Sequence, residues 1–165
     1  MRNLESADER LLELAHSIDF ARRYYSIVNA SRNDEPASEL PETEILSALE
    51  STGRSFRFNR REKFFAFREP DVPGELGINL SFSYGQVEFI LVARGPNGHF
   101  GPPFTLLART VAQRHAPELV PSPRAPRPCY SDQARLRSVL AEGLRLYEDL
   151  ATAIRTNGLL SCVNG

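Results

Sequence analysis

The stretch INLSFSYGQVEFILVA, residues 78–93, decides the fold. Ile78, Leu80, Phe82 and Tyr84 alternate with Asn79, Ser81 and Ser83, and beyond Gly85 and Gln86 the residues Val87, Phe89, Leu91 and Ala93 alternate with Glu88, Ile90 and Val92. A period of two belongs to a strand, and two such runs joined by a tight turn make an antiparallel hairpin. A turn on Gly85-Gln86 pairs residues whose numbers sum to 171 and lays both apolar sets on one face. A slip of one residue would carry all of them to the other side. Ile90 and Val92 on the back face imply partial cover there, or an apolar contact site.

Upstream, FRFNRREKFFAFRE at 56–69 interleaves five aromatic with five basic side chains. A hairpin with Phe56–Phe58 and Lys63–Phe67 as strands and its turn at 59–62 places Phe56, Phe58, Phe65 and Phe67 on one face, with Arg57, Phe64, Ala66 and Arg68 on the other. Most of the rings thereby separate from the cations, whereas a stacking platform for nucleic acid needs both on one exposed surface. Together the two hairpins predict a four-stranded antiparallel sheet.

Helical periodicity lies on both sides of the strands. Leu11, Leu14, Ile18, Ala21, Tyr25 and Val28 recur at spacings of 3, 4, 3, 4 and 3, which predicts one helix from Ser6 to about Ala30. A short helix is expected from Pro41 to Glu50, with Gly53 ending it, and a third in FTLLARTVAQRH with Leu106, Leu107 and Val111 inward. GPNGHFGPP at 95–103 reads as irregular because glycine and proline dominate it, and APELVPSPRAPRPCY as an extended crossing. A long final helix is predicted behind Ser131 as N-cap, its stripe running through Leu136, Leu140, Gly143, Tyr147, Leu150 and Ile154 until Asn157-Gly158 stops it. Gly143 in that stripe implies close approach of a neighbouring backbone. The expected architecture is α+β, with the sheet packed against N- and C-terminal helices in one domain over 1–165 and a flexible tail from about residue 158.

Composition bounds the function. With 41% hydrophobic and 25% charged residues the chain has the make-up of an ordinary globular domain. Its longest aliphatic run, FILVA at 89–93, is far too short to span a bilayer, and the polar start MRNLESADER has no apolar leader, so a cytoplasmic location without a membrane partner is expected. Cys129 and Cys162 lack metal-type spacing and read as free thiols. The net charge of −1 conceals an acidic front and an arginine-rich remainder: Asp34, Glu35, Glu39, Glu42, Glu44 and Glu50 follow one another with no base between them. Such a run is either satisfied by the arginines or offered to a basic partner.

Chemistry is hard to find. His16 falls off the apolar stripe and His115 at a helix end; His99 in GPNGHFGPP is placed to overhang a cleft, but no activated serine or cysteine motif accompanies it. No histidine pair has metal spacing, and the glycine-rich loop lacks both phosphate-loop and dinucleotide fingerprints, so neither metal nor cofactor is expected.

The segment LLARTVAQRHAPELVPSPRAPRPCYSDQARLRSVLAEGLRLYEDLATAI carries a turn of Arg127, Pro128 and Tyr130 and a helix bearing Leu146, Tyr147, Glu148 and Asp149. In this it resembles the C-terminal part of bacterial immunity proteins encoded beside polymorphic toxins. The resemblance implies a small cytoplasmic protein without catalytic residues that binds one cognate toxin and occludes its active site, as a monomer or weak homodimer. Toxins that attack nucleic acid present basic clefts, so the implied contact surface is Asp34, Glu35, Glu39, Glu42 and Glu44. Two other classes fit the composition. A secretion chaperone or adaptor would dimerise through Ile90 and Val92; a nucleic-acid-binding module would use Arg57, Arg60, Arg61, Lys63 and Arg68, although the net charge argues against it.

Overall fold

The computed structural model describes residues 2–32, 38–96, 98–121 and 126–161, with side chains from residue 8 onward. The chain is α+β. The helices are α1 (Arg2–Ser17), α2 (Phe20–Ser31), α3 (Glu42–Glu50), α4 (Phe104–His115) and α5 (Gln133–Thr156), and the strands are β1 (Arg57–Asn59), β2 (Phe64–Arg68), β3 (Glu75–Ser83), β4 (Gln86–Gly95) and β5 (Gly98–Phe100). The strands form an antiparallel meander in the order β1-β2-β3-β4-β5.

The sheet has one strand more than the sequence pattern predicts, and that strand lies inside GPNGHFGPP. Gly95 pairs with Gly98, Arg94 with His99 and Ala93 with Phe100. An alternation pattern needs four or more residues to register, so a three-residue strand bounded by glycines leaves none. Its consequence is edge protection. The C-terminal part of β4 pairs with β5, Leu91 donates to the Pro102 carbonyl, Val87 donates to the Pro128 carbonyl, and Tyr130 donates to the Gly85 carbonyl. The whole far side of β4 is thereby covered, as exposed strand edges require.

Both hairpin registers differ from expectation by two residues, and both keep the expected faces. In the β3–β4 hairpin Ser83 pairs with Gln86 and Phe82 with Val87, so the turn is Tyr84-Gly85, with φ of 53° and 69°. Two successive left-handed residues match the right-handed twist of the flanking strands, which a turn on Gly85-Gln86 would not have required. Tyr84 is consequently 81% exposed rather than inward. In the β1–β2 hairpin Phe58 pairs with Phe65 and Asn59 with Phe64. Asn59 Oδ1 accepts from the amides of Arg61 and Glu62 and its carbonyl accepts from Lys63, which draws Lys63 out of the strand and into the turn at φ 56°.

The single N-terminal helix expected from the spacing is two helices. Asp19 takes a left-handed conformation at φ 57°, and α2 starts anew at Phe20, which is fully buried. The apolar spacing runs on across the break because both helices face the same core. Phe20, Tyr24 and Val28 of α2 meet Phe104 of α4 and the buried face of α5. In α4, Phe104, Leu107 and Val111 point inward, while Leu106 is 54% exposed, contrary to its expected place. Asp132 rather than Ser131 caps α5, its Oδ1 accepting from the Arg135 amide at 2.7 Å. Leu159 and Leu160 are buried, so the chain is packed to at least residue 160 instead of loosening at 158; Cys162 lies outside the described residues and Cys129 is a free thiol.

At the centre, α5 and α4 lie on the face carrying Ile78, Leu80, Phe89 and Leu91, all buried. The close neighbour of Gly143 is a ring and not a backbone: a Cβ built there would stand 2.5 Å from Phe89 Cε1 and 2.9 Å from Cε2. The opposite face of the sheet is roofed in part by Arg68, whose stem crosses Gly77 while its guanidinium donates to Glu75 at 2.7 Å and Asn79 at 2.8 Å. That hydrogen bond holds the Glu75 carboxyl below the usual carboxylate range.

Candidate functional site

Registers place the β1–β2 turn and the β3–β4 turn at the same end of the sheet. There a row of rings runs from strand to strand: Phe58 to Phe65 at 4.8 Å, Phe65 to Phe82 at 5.8 Å, and Phe82 to Tyr130 at 6.3 Å. Tyr130 and Phe65 are buried, at 2% and 6% exposure, Phe82 is half-buried, and Phe58 at the outer end is 44% exposed. Helix α3 stands over this end, held to α5 by buried Ala48 and Leu49 and by Gln133, which donates to the Glu44 carbonyl. It does not close on the rings. Between them lies a groove of about 830 Å³ bounded by Glu42, Ile45 and Leu46 on the helix and by Phe58, Arg60 and Lys63 on the hairpin.

Three of the large apolar side chains most exposed in the described chain, Leu46, Phe58 and Tyr84, gather at this end. Tyr84 is fixed there because its amide donates to Glu39 Oε1 at 3.2 Å, and Ser38 binds back to Tyr130 and Ser131. The groove thus has an apolar floor, an acidic rim from Glu42 and a basic rim from Arg60 and Lys63, with Glu39 beside it at the β3–β4 turn. Burial, followed by the nearby Glu39 carboxylate, raises the pKa of the Tyr130 phenol above that of a free tyrosine, so the end of the ring row stays neutral.

Of the acidic residues singled out in the sequence, Glu39, Glu42 and Glu44 flank α3, and among the described residues none of them forms an ion pair. Asp34 and Glu35 lie outside the described residues. The arginines turn instead to other carboxylates. Arg114 grips Glu9 through both terminal nitrogens, Arg23 meets Asp149 at 2.6 Å, and Arg54 meets Glu148 at 3.3 Å. Among the described residues the acids of α3 are therefore not satisfied by ion pairs, with Glu42 exposed and Glu44 half-buried.

Every member of the C-terminal motif has an internal task. Tyr147 is fully buried and donates to Glu69 Oε1 at 3.0 Å; burial and the Glu69 carboxylate push its phenol far above the ordinary value. Leu146 is core, and Glu148 and Asp149 hold Arg54 and Arg23. Arg127 pairs with Glu88, Pro128 covers the edge of β4, and Tyr130 closes the ring row. These residues build the fold, and none of them lines the groove beneath α3.

The remaining sequence candidates are dispersed. His16 and His115 stay exposed but stack on each other at 3.6 Å where α1 and α4 end. His99 sits at the lip of a separate hollow of about 460 Å³ with Asp8, Leu106 and Arg114, and among the described residues no serine or cysteine lines it. Among the described residues no group of three or more His, Cys, Asp or Glu side chains is placed to hold a metal. Val92 is buried and Ile90 half-buried, with Ile90 bridged to Pro103, so the apolar back face expected as a possible contact surface is largely covered. Arg68 is occupied by Glu75 and Asn79, while Arg57, Arg60, Arg61 and Lys63 are exposed. No helix is long and apolar enough to cross a membrane among the described residues.

The groove itself escaped sequence reading. Its signals were present: an α3 segment of modest apolar content with Leu46 off the buried pair, and an aromatic one residue before a turn. Comparison with protein families, with curated proteins and with solved structures finds no match.

Proposed function

We propose that the protein is a non-enzymatic immunity protein that neutralises a cognate bacterial toxin by seating the groove between α3 and the hairpin turns on the toxin's basic active-site surface. The observation that carries this reading is the conjunction at one place of carboxylates that form no ion pair among the described residues, Glu39, Glu42 and Glu44, with the exposed apolar side chains Leu46, Phe58 and Tyr84. Protein interfaces concentrate their energy in a few aromatic or aliphatic anchors ringed by polar groups. The carboxylates steer a basic partner in and compete for the cations that would hold its phosphate substrate. Tyr84 suits an anchor because a large ring at a tight turn is presented without further ordering cost.

The test is association with the toxin domain encoded beside the gene, measured for the native chain and for the triple variant Glu39→Lys, Glu42→Lys, Glu44→Lys at about 0.05 M and about 0.5 M salt. The expected result is an association rate at least about tenfold slower in the variant at low salt, with the gap narrowing at high salt. Equal rates for both proteins at both salt concentrations would reject this surface. Continued toxicity on co-expression with the native chain would reject the reading itself.

A further inference from the structure

Strand β1 pairs with β2, and among the described residues no strand pairs with its other side. Because the Asn59 carbonyl accepts from Lys63, the peptide groups of Asn59 face the hairpin, and those of Phe58 face away from it. The hollows on the two sides of this strand are both substantial, about 830 Å³ toward α3 and about 640 Å³ on the opposite face of the sheet, and Phe58 lines both. Each hollow joins ring surface to cations: Arg60 and Lys63 border the first, and Arg57 with the ring of Phe64 borders the second. Arg57, Arg60, Arg61 and Lys63 are exposed and make no ion pair among the described residues; the acids close by are Glu62 in the turn and Glu42 across the groove.

We infer that the free edge of β1 is a binding site for an extended acidic peptide segment of a partner protein, which adds as a strand beside Phe58. An added strand takes the outward N–H and carbonyl of Phe58, and its successive side chains fall alternately into the two hollows, where apolar groups meet the rings and carboxylates meet the cations. A nucleic acid fits less well. Stacking platforms present several open rings, whereas here Phe65 is buried, Phe64 and Phe82 are half-buried, and Phe58 is the one phenylalanine lining the two hollows that is exposed. This site shares Phe58 and the hollow toward α3 with the surface assigned to toxin binding, but it engages the basic rim instead of the carboxylates, so charge variants separate the two.

The experiment uses the full chain labelled for amide spectroscopy and three probes: a capped peptide alternating glutamate with valine, the same peptide with lysine for glutamate, and oligouridylate of similar charge. The glutamate peptide is expected to move amide signals confined to residues 56–61 and to slow hydrogen exchange at Phe58, with the lysine peptide inert. Arg57→Glu with Lys63→Glu should weaken binding at least about tenfold, and Phe58→Ala should weaken it while leaving the spectrum of the fold intact. No binding of the glutamate peptide, binding that maps elsewhere or leaves the Phe58 amide unprotected, or tighter binding of oligouridylate would overturn the inference.

Discussion

Replacing Gly143 by alanine sets two effects of known sign against each other. An exposed helical glycine changed to alanine gains about 1 kcal/mol from helix propensity. In α5 the new methyl would stand 2.5 Å from Phe89 Cε1, well inside contact distance. The ring cannot yield freely, since Phe89 is 2% exposed and its far side is stacked on Phe104 at 5.5 Å, which in turn meets Phe20 edge-on at 4.9 Å. Overpacking of this kind costs about 1 to 3 kcal/mol and sometimes more. The steric effect wins, leaving a net loss of up to about 2 kcal/mol, or up to roughly 8 °C in Tm for a chain of this size. Urea denaturation of Gly143→Ala, Phe89→Leu and the double variant would measure it, with the coupling between the sites expected to recover at least about 1 kcal/mol. A Gly143→Ala protein more stable than the native one, or additive effects in the cycle, would refute the packing of α5 on the sheet through this contact.

Leu140→Ala empties a fully buried position on the same helix and should cost about 2 to 5 kcal/mol by denaturant titration. Tyr147→Phe tests pH dependence. The phenol's pKa is raised in the fold by burial and by Glu69, so its contribution is complete below the ordinary tyrosine value of about 10 and is lost as pH rises beyond it; the variant's Tm should fall less between about pH 9 and about pH 11, with Tyr24, Tyr25 and Tyr130, whose phenols burial also raises, contributing to the dependence that remains. Tyr84→Asn places a residue suited to left-handed backbone in the β3–β4 turn and should raise stability by up to about 1 kcal/mol while weakening partner binding, since it removes an exposed ring that the fold itself does not need.

How far the sequence was legible follows from which physical rule wrote each feature. The alternation in 78–93 fixes which side chains share a face, and Ile78, Leu80, Phe89 and Leu91 are indeed buried together. It does not fix the count, because a shift of two residues preserves the faces; turn chemistry at Tyr84-Gly85 and at Asn59 supplied that shift in both hairpins. The stripe of α5 was legible for the same reason as the strands. The break at Asp19 was not, since a left-handed aspartate leaves no trace in the spacing of Ile18 and Ala21. At the candidate site the acidic residues before and on α3 were visible as a run, whereas the groove depends on the gap between α3 and Phe58, two segments whose separation no local pattern encodes. The LYED segment shows the converse: a memorable motif whose polar groups are spent on Glu69, Arg54 and Arg23.

Hydrogen exchange of the chain alone and in complex with a toxin of the kind proposed as its partner addresses the recognition surface most directly. Protection on binding is expected along residues 39–46 and at the two hairpin turns, with the hollow beside His99 unaffected. Protection centred on that hollow, or a complex whose footprint leaves α3 and Phe58 exchanging as in the free protein, would contradict the account.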